Sequence, residues 1–465
     1  MYNKTEEKLR QLMAWYPNKK LYQRPSSKSN KSIISVYAPN SLCPVYSHNE
    51  WYADDWDSPY LNFNLSIPFF TQWKELQKIA PVVSLLSHRQ ENAEYCHDVE
   101  GLKNCYLVFD SLNTRDTYYS VRLYNSKSCI DVYWVMDSEL LYECVYMFSC
   151  YNCRYCLNCE QTSDSAFLFN CRNVSNSFMC SNMRNKKYCA YNKQLTKDEY
   201  EKLINKIDFK NHDKIEELKK EFQQMIKNTP IPPAFLKNCE DCTGNYLKNC
   251  KNVKQGFECF DLRDCFNVFQ CAQGKDITNA FMCNDRIEHC FNCTATGIGT
   301  YEVKNCAFTW KSAHMEYCYL CISCQNCFGC IGLRNKKYHI FNKPYEKKSY
   351  FENVKKIIES MKKNGEYDNF FPIEFSPFPY EDTIAFDFFK NDVSNSIDQT
   401  IRPIPQELKF YEKHKIPTPK IPFSMRYHER LKLMDTSFIE KNGTFYKHPK
   451  LKNIVNQIEY EKSLW

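Results

Sequence analysis

Glycine and long apolar runs are scarce in this chain of 465 residues. Only 10 residues are glycine, which excludes a bundle of closely packed polyproline-type helices, because that packing needs glycine. No apolar run approaches the roughly 18 residues that indicate a membrane-spanning helix, so we expect no membrane span. Residues 1–20 alternate in charge and lack the apolar core of a signal peptide. We therefore expect a cytoplasmic protein.

Recognisable catalytic motifs are also missing. The 10 histidines are scattered, and no HExxH, P-loop, GxSxG or GxGxxG motif is present. Glu94, Asp98 and Glu100 are acidic neighbours, but a carboxylate pair for glycoside cleavage is defined by its separation in space. A solvated acidic edge explains them as well. We predict that the protein is not an enzyme, and a carbohydrate-active enzyme is the least favoured alternative.

The chain does have a period of three. From Cys96 to Met183, every third residue is Cys, Val, Leu, Ser, Thr or Met. We call these the axial positions, because residues that are always small and uncharged must face a narrow, buried axis. Many residues immediately before an axial position are Asn or Asp, such as Asn104 and Asn170. Both types tolerate a left-handed backbone, so the pattern predicts a bend every three residues.

This period limits the fold. An α-helix repeats every 3.6 residues, a flat strand alternates every two, and a 3₁₀-helix rarely continues beyond a short piece. We predict a mainly β fold of two tandem, cysteine-laddered narrow β-solenoids with bracing α-helices. The length of each coil should be a multiple of three.

The pattern indicates an internal duplication. It returns over 244–283 and, after a phase slip, over 300–333, and Arg184-Asn-Lys-Lys-Tyr188 recurs as Arg334-Asn-Lys-Lys-Tyr338. Solenoids need such terminal caps. Basic residues beside aromatic ones suit single-stranded nucleic acid, so we predict contacts with nucleic acid or another partner at the cap residues Arg184, Lys186, Lys187, Arg334, Lys336 and Lys337.

The 27 cysteines have two interpretations. Stacked strands lie about 4.8 Å apart, whereas disulfide Cβ atoms prefer roughly 3.5–4.5 Å, so a ladder of buried free thiols is natural. The rival is a metal, either structural zinc or an iron–sulfur cluster, also suggested by the pairs Cys239/Cys242 and Cys290/Cys293. Candidate ligands with two-residue gaps are Cys150, Cys153, Cys156, Cys159, Cys318, Cys321, Cys324, Cys327 and Cys330. Because Val, Leu and Ser occupy the same phase, we favour the thiol core and predict no cofactor, with zinc as the alternative.

A helix should follow each cap. Thr196-Lys-Asp-Glu199 is a capping box, and the second helix is predicted over 347–363; both should pack on their solenoids. Six modules are predicted along the chain. They are an N-terminal module with a helix (1–92), a capped solenoid (93–193), a helical brace (194–232), a second capped solenoid (233–345), a helix with linker (346–390) and a C-terminal module (391–465).

The whole chain resembles the cysteine-rich repeat proteins abundant in candidate-phyla-radiation (Patescibacteria) bacteria. The resemblance is carried by the triplet repeats, both caps and the segments Lys20–Arg24, Ile33–Tyr37, Trp51–Asp57 and Pro68–Phe70. Family members usually carry zinc-ribbon-like cysteine pairs near both ends. Here Ser and Asn stand in their place around Arg24–Ser32, and the C-terminal segment has no cysteine. The resemblance therefore implies degenerate terminal modules, and it implies no established activity.

These observations favour a non-catalytic scaffold that presents long solenoid faces to a macromolecular partner. Nucleic-acid binding, to RNA or another single strand and including a ribosome-associated role, is the first alternative, and a structural zinc-binding protein is the second. The net charge of +7 is compatible with an anionic partner and does not require one.

Overall fold

The structure is a computed structural model of the chain. It describes residues 4–232, 274–282, 291–296, 299–305, 307–389 and 403–434, with short pieces at 236–240, 243–244, 247–248, 254–256, 288–289, 438–441 and 444–447. The described residues fall into two compact units. The first-solenoid unit contains 86–232 and 403–434, and the second-solenoid unit contains 4–85, 236–389 and 438–447.

The first solenoid bends at every third residue. From Asn104 to Asn182, each residue before an axial position has a left-handed backbone, with φ 53° at Asn104 and 56° at Asn182. Parallel partners in neighbouring coils are twelve residues apart, as in Cys105 with Thr117. Each coil therefore has four sides of three residues, and one residue per side points to the axis. The predicted bend and the predicted multiple of three are confirmed.

Hydrogen bonds across coils hold the axis together. The Ser138 Oγ donates to the Met136 carbonyl at 2.8 Å and accepts the Cys150 N–H of the next coil at 3.1 Å. Cys180 Sγ accepts the Asn192 N–H in the same way at 3.4 Å. A buried N–H must find a partner, so Ser, Thr and Cys at the axis satisfy backbone groups that point inward.

The corners form a second set of ladders. Asn158 donates to Asn170, Asn170 to Asn182, and Asn182 to the Pro230 carbonyl, at 3.4, 2.7 and 2.8 Å. Asn and Asp accept the left-handed backbone of the corner and bond the corner twelve residues on. This explains their frequency before the axial positions.

Parallel strands build this solenoid, and an antiparallel hairpin of the last two strands closes it. The strands are β5 (Ser87–His88), β6 (Glu91–Glu94), β7 (His97–Glu100), β8 (Lys103–Leu112), β9 (Arg115–Tyr124), β10 (Tyr133–Met136), β11 (Val145–Phe148), β12 (Tyr151–Arg154), β13 (Leu157–Glu160), β14 (Ser163–Phe169), β15 (Arg172–Ser181), β16 (Arg184–Ala190) and β17 (Lys193–Gln194). They follow β1 (Tyr22–Pro25), β2 (Ser32–Ser35), β3 (Val45–Tyr46) and β4 (Val82–Val83) of the other unit.

The second solenoid is described in part. Tyr301, Ala313, Gln325 and Lys337 pair in register twelve residues apart, and the final hairpin repeats the first cap. Its strands are β22 (Ala295–Thr296), β23 (Tyr301–Lys304), β24 (Phe308–Trp310), β25 (Ala313–Glu316), β26 (Tyr319–Ile322), β27 (Gln325–Phe328), β28 (Lys337–Ile340) and β29 (Lys343–Pro344), preceded by β18 (Leu236–Lys237), β19 (Thr243–Gly244), β20 (Leu247–Lys248) and β21 (Lys254–Gly256). A separate hairpin joins β30 (Phe438–Lys441) to β31 (Thr444–Lys447).

The two caps match in detail. Asn192 and Asn342 are both left-handed, and their N–H groups donate to Cys180 and Cys330, each at 3.4 Å. The side-chain oxygen of Asn192 accepts the Ser181 N–H at 2.8 Å, and that of Asn342 accepts the N–H of the equivalent residue, Ile331, at 2.9 Å. The repeated cap motif therefore forms the same local structure twice.

Helices complete both units. They are α1 (Lys4–Met13), α2 (His48–Tyr52), α3 (Phe69–Ile79), α4 (Lys197–Ile204), α5 (His212–Asn228), α6 (Lys347–Lys363), α7 (Ile384–Phe389), α8 (Pro405–His414) and α9 (Phe423–Met434), with 3₁₀ turns at Ile373–Phe375 and Tyr380–Asp382. Thr196 and Glu199 form the predicted capping box. No helix within the described ranges is long and apolar enough to cross a membrane.

Aromatic side chains join the predicted helices to the solenoids, as expected. Phe222 of α5 lies 5.6 Å from Phe167, measured between ring centroids. Tyr200 of α4 lies 5.9 Å from Tyr188 of the first cap. In the other unit, the ring of Tyr350 in α6 contacts the ring of Tyr338 in the second cap. The mainly β fold with a β-solenoid and bracing helices is confirmed.

The chain ends also cover the solenoids, which the sequence did not predict. In the second-solenoid unit, the indole nitrogen of Trp73 in α3 donates to the Tyr317 carbonyl at 3.1 Å, and the hydroxyls of Tyr37 and Tyr319 are 2.9 Å apart. Gly332 has φ +68°, and a Cβ there would collide with the Pro81 carbonyl. In the first-solenoid unit, α8 and α9 cover the solenoid.

We predict that Ser138→Ala lowers the free energy of unfolding by about 1–3 kcal/mol, because it leaves the buried Cys150 N–H without an acceptor. Ser138→Cys is the matched control, since its sulfur can accept the same N–H, and it should cost less. Urea denaturation measures both. An alanine variant at least as stable as the cysteine variant would contradict this account of the axis.

Candidate functional site

The predicted cysteine ligands occupy whole coils. Cys150, Cys153, Cys156 and Cys159 are the axial residues of one coil, Cys318, Cys321, Cys324 and Cys327 are those of another, and Cys330 follows in the next coil. All nine are buried free thiols. Carbonyl oxygens surround them: Cys153 Sγ lies 3.3 Å from the Tyr151 oxygen and 3.4 Å from that of Thr162. Cys318 Sγ lies 3.3 Å from the Glu316 carbonyl oxygen and 3.4 Å from that of Cys327.

Burial favours the protonated form of most thiols in these coils. Burial raises the pKa of Cys150 to about 12 and that of Cys330 well above its ordinary value. Hydrogen bonds from Cys321 and Cys327 lower the pKa of Cys324 to about 4, and a hydrogen bond from Cys156 lowers the pKa of Cys153. A metal ligand must be a thiolate, and a carbonyl oxygen beside the sulfur stabilises S–H instead.

Nowhere in the described ranges do three or more His, Cys, Asp or Glu side chains converge in a way that could hold a metal. Cys239 is half-exposed and Cys293 is buried, whereas Cys242 and Cys290, their partners in the CxxC pairs, lie outside the described residues. Zinc binding stays a prediction.

Serine and glutamate side chains form a polar network where the resemblance implies zinc ligands. The Ser26 Oγ donates to Glu50 at 2.5 Å, and Ser47 donates to the same carboxylate oxygen at 2.7 Å. Burial opposes ionisation of Glu50, but hydrogen bonds from Ser26, Ser29 and Ser47 lower its pKa to about 2. This network occupies the hairpin of β1 and β2 and the start of α2.

The two cap arginines have structural roles. The Arg184 guanidinium bonds the Asn170 and Met183 carbonyls. Arg334 donates to the Ala53 carbonyl at 2.9 Å, and its guanidinium carbon lies 5.2–5.7 Å from the ring centroids of Trp51, Tyr52 and Trp56. The Trp51–Asp57 block therefore binds the second cap, a role that the sequence did not reveal.

The cap lysines face solvent instead. Lys186, Lys187, Lys336 and Lys337 are exposed, and Lys187 lies over the ring of Tyr188 with 4.8 Å to the centroid. Each unit thus presents one pair of lysines at its cap. The predicted contact with a nucleic acid or another partner at these residues stays a prediction.

Carboxylate and imidazole groups alternate along one corner of the second solenoid. His289 Nδ1 lies 2.7 Å from Asp276, and His314 Nδ1 lies 2.6 Å from Glu302. Each histidine is thus paired with the preceding carboxylate of the ladder. The sequence spacing of twelve or thirteen residues could have revealed this pairing only once the coil length was known.

Buried charges hold the C-terminal helices to the first solenoid. Asp131, a fully buried corner residue, accepts from Arg426 at 3.1 Å and from Arg430 at 2.9 Å. Burial opposes the charge on Arg426, but Asp131 and Tyr411 hold its pKa above the ordinary value. Glu407 of α8 accepts from Tyr119 at 2.6 Å and from Tyr411 at 2.7 Å, and burial raises its pKa.

Two sides of the first solenoid are covered. The rings of α8 and α9 contact Tyr118 and Tyr142 on one side and Phe109 and Tyr133 on the next. Among the described residues of this unit, the other two sides present their outward residues without a covering helix. One carries the basic row Lys103, Arg115 and Lys127, which is exposed; the other carries the apolar row Leu112, Tyr124, Met136 and Phe148, which is half-buried.

Comparisons with known proteins find no relative. No family model matches the chain, and no curated protein and no solved structure matches it. The resemblance to the cysteine-rich repeat proteins therefore stays a prediction.

We predict that protein purified without oxygen and then denatured titrates close to 27 free thiols with less than one zinc or iron per chain. The native protein should react slowly with a thiol reagent, because burial raises the pKa of most axial thiols and the thiolate is the nucleophile. One or more metal ions per chain would overturn the thiol-core interpretation. Serine variants of Cys150–Cys159 and of Cys318–Cys330 would then locate the ion.

We predict that Asp131→Asn lowers the free energy of unfolding by about 3–5 kcal/mol, because it leaves two buried guanidinium groups without their carboxylate. Asp137→Asn is the matched control: Asp137 is also a left-handed corner residue, but it is exposed. Chemical denaturation of the full chain compares them. Equal stability of the two variants would show that the buried charges contribute little.

Proposed function

We propose that the protein is a non-catalytic scaffold that binds a macromolecular partner along the uncovered sides of its first solenoid. The observation that carries this proposal is the division of the coil into two covered and two uncovered sides. The uncovered rows continue from coil to coil, from Glu91 to Lys187 on one side. At about 4.8 Å per coil, this surface extends over roughly 40 Å.

The buried polar groups support a structural role for the interior. Asp131 and Glu407 bond side chains of the same unit, and the axial thiols bond backbone carbonyls. A cleft lined by Phe63, Phe69, Phe341 and Met361 has a volume of about 10 Å³, which is room for one water molecule. This cleft is therefore much smaller than the sites that bind small molecules, which occupy roughly 300–1,000 Å³.

We also place the protein in the cytoplasm as part of this proposal. The described cysteines are free, and a reducing compartment keeps thiols in that state. A scaffold with this axis would be at risk of oxidation during folding in an oxidising compartment.

The test is photo-crosslinking in cells that express the protein. A photoreactive amino acid is placed at Tyr124 or Tyr151 on the uncovered sides, and Tyr151 is 50% exposed. Matched controls at Lys220 and Gln223 lie on exposed positions of α5. We expect discrete adducts from the first two positions and none from α5. Adducts of equal yield at all four positions, or at none, would contradict the proposal.

A further inference from the structure

The uncovered edge of the first solenoid has a chemistry that narrows the class of partner. The basic row consists of Lys103, Arg115 and Lys127, which lie directly opposite one another in successive coils. Like charges in directly opposed strand positions destabilise a sheet. The exposed Glu91 and Glu139 lie next to the two ends of this row. Lys103 is paired with Glu91 at 2.7 Å, but within the described part of the chain neither Arg115 nor Lys127 forms an ion pair.

A row of amide side chains lies between the basic and apolar rows. Asn113 and Asn125 are exposed corner residues, and the exposed Asp137 follows them in the next coil. Asn113 Nδ2 lies 3.3 Å from the Asn125 oxygen. Amides of this kind can donate to and accept from polar edges. The apolar row then begins at Leu112, one residue before Asn113, and continues through Tyr124, Met136 and Phe148.

The three rows are parallel, because each follows the stacking of the coils. A ligand along this edge therefore meets cations on one side, amides at the corner and apolar or aromatic surface on the other. An acidic peptide would satisfy the cations and leave the aromatic row unused. A single-stranded nucleic acid satisfies all three, because its phosphates need cations and its bases stack on aromatic side chains.

We propose that this edge binds single-stranded nucleic acid, with phosphates on Lys103, Arg115 and Lys127 and bases against Tyr124 and Phe148. This inference rests on the proposed function, whose uncovered sides it uses. Its three cations lie at least five coils from Lys187, the cap lysine in the same row. The rows show no feature that reads a particular base, so we expect little dependence on sequence.

The test is fluorescence anisotropy of the full chain with a labelled 20-nucleotide oligo-uridine at several salt concentrations. Three phosphate contacts give a slope of the logarithm of affinity against the logarithm of salt of about −2, at about −0.7 per contact for a single strand. R115A or K127A should each make this slope less negative by about 0.7, because each removes one phosphate contact. Tyr124→Ala should lower the affinity at least about fivefold and leave the slope unchanged, because stacking is not a charge effect.

Two controls make the result specific. The double variant Lys336→Glu, Lys337→Glu should bind as tightly as the unmodified chain, because those exposed lysines lie at the second cap and outside the rows. A double-stranded oligonucleotide and an oligo-glutamate peptide of equal charge should bind more weakly than oligo-uridine. Thermal melting of each variant verifies folding, and the substitutions of exposed lysine and arginine should not shift it.

Several outcomes would overturn the inference. They are no binding of oligo-uridine at low salt, equal or tighter binding of the peptide or duplex, and affinity that depends on the cap lysines and not on the rows. If oligo-uridine fails while crosslinks at Tyr124 and Tyr151 still give protein adducts, the scaffold proposal survives and the nucleic-acid inference falls. If both experiments fail, both proposals fall.

Discussion

The hydrogen bond from one axial N–H to the axial Oγ or Sγ of the preceding coil is the interaction on which this fold depends. A left-handed residue at every third position turns the chain sharply, and the turn points some backbone groups into the axis. A Ser such as Ser138 satisfies one of them and returns its own proton to a carbonyl. Cys180 and Cys330 do the same with sulfur. At these two positions cysteine therefore has a structural role at the axis.

This interior separates structure from recognition. The axis is filled with small side chains, the corners carry Asn ladders, and only the outward positions of each side are free to vary. Helices cover two of these sides in the first solenoid, and buried pairs such as Asp131 with Arg426 hold them there. The described helices leave the rows next to Asn113 and Asn125 uncovered, and these rows are the surface that we propose for a partner. Their stacking repeats along the coil axis, so an extended polymer fits this surface better than a compact ligand.

The period of three could be read from the sequence, because small residues from Cys96 to Met183 leave no other regular structure. Asn or Asp before many axial positions indicated the bends for a physical reason, and the repeated Arg-Asn-Lys-Lys-Tyr motif indicated two equal caps. The coil length of twelve could not be read, since any multiple of three keeps Cys at the axis. The roles of Trp51 and Arg426 were also hidden, because each acts on a partner more than 250 residues away. The basic and apolar rows become visible only once residues twelve apart are aligned.

The ends of the chain are exchanged between the two solenoids: the N-terminal segment packs on the second, and the C-terminal helices pack on the first. During synthesis, Asp131 leaves the ribosome 295 residues before Arg426. At about 5–20 residues per second, its corner waits roughly 15–60 seconds for the groups that will bury it. Until α8 and α9 are synthesised, the side chains that they will cover stay exposed to solvent. Tyr118, Tyr133 and Tyr142 are then accessible to a chaperone. A nascent chain of this design acquires its first solenoid early and its protective cover last.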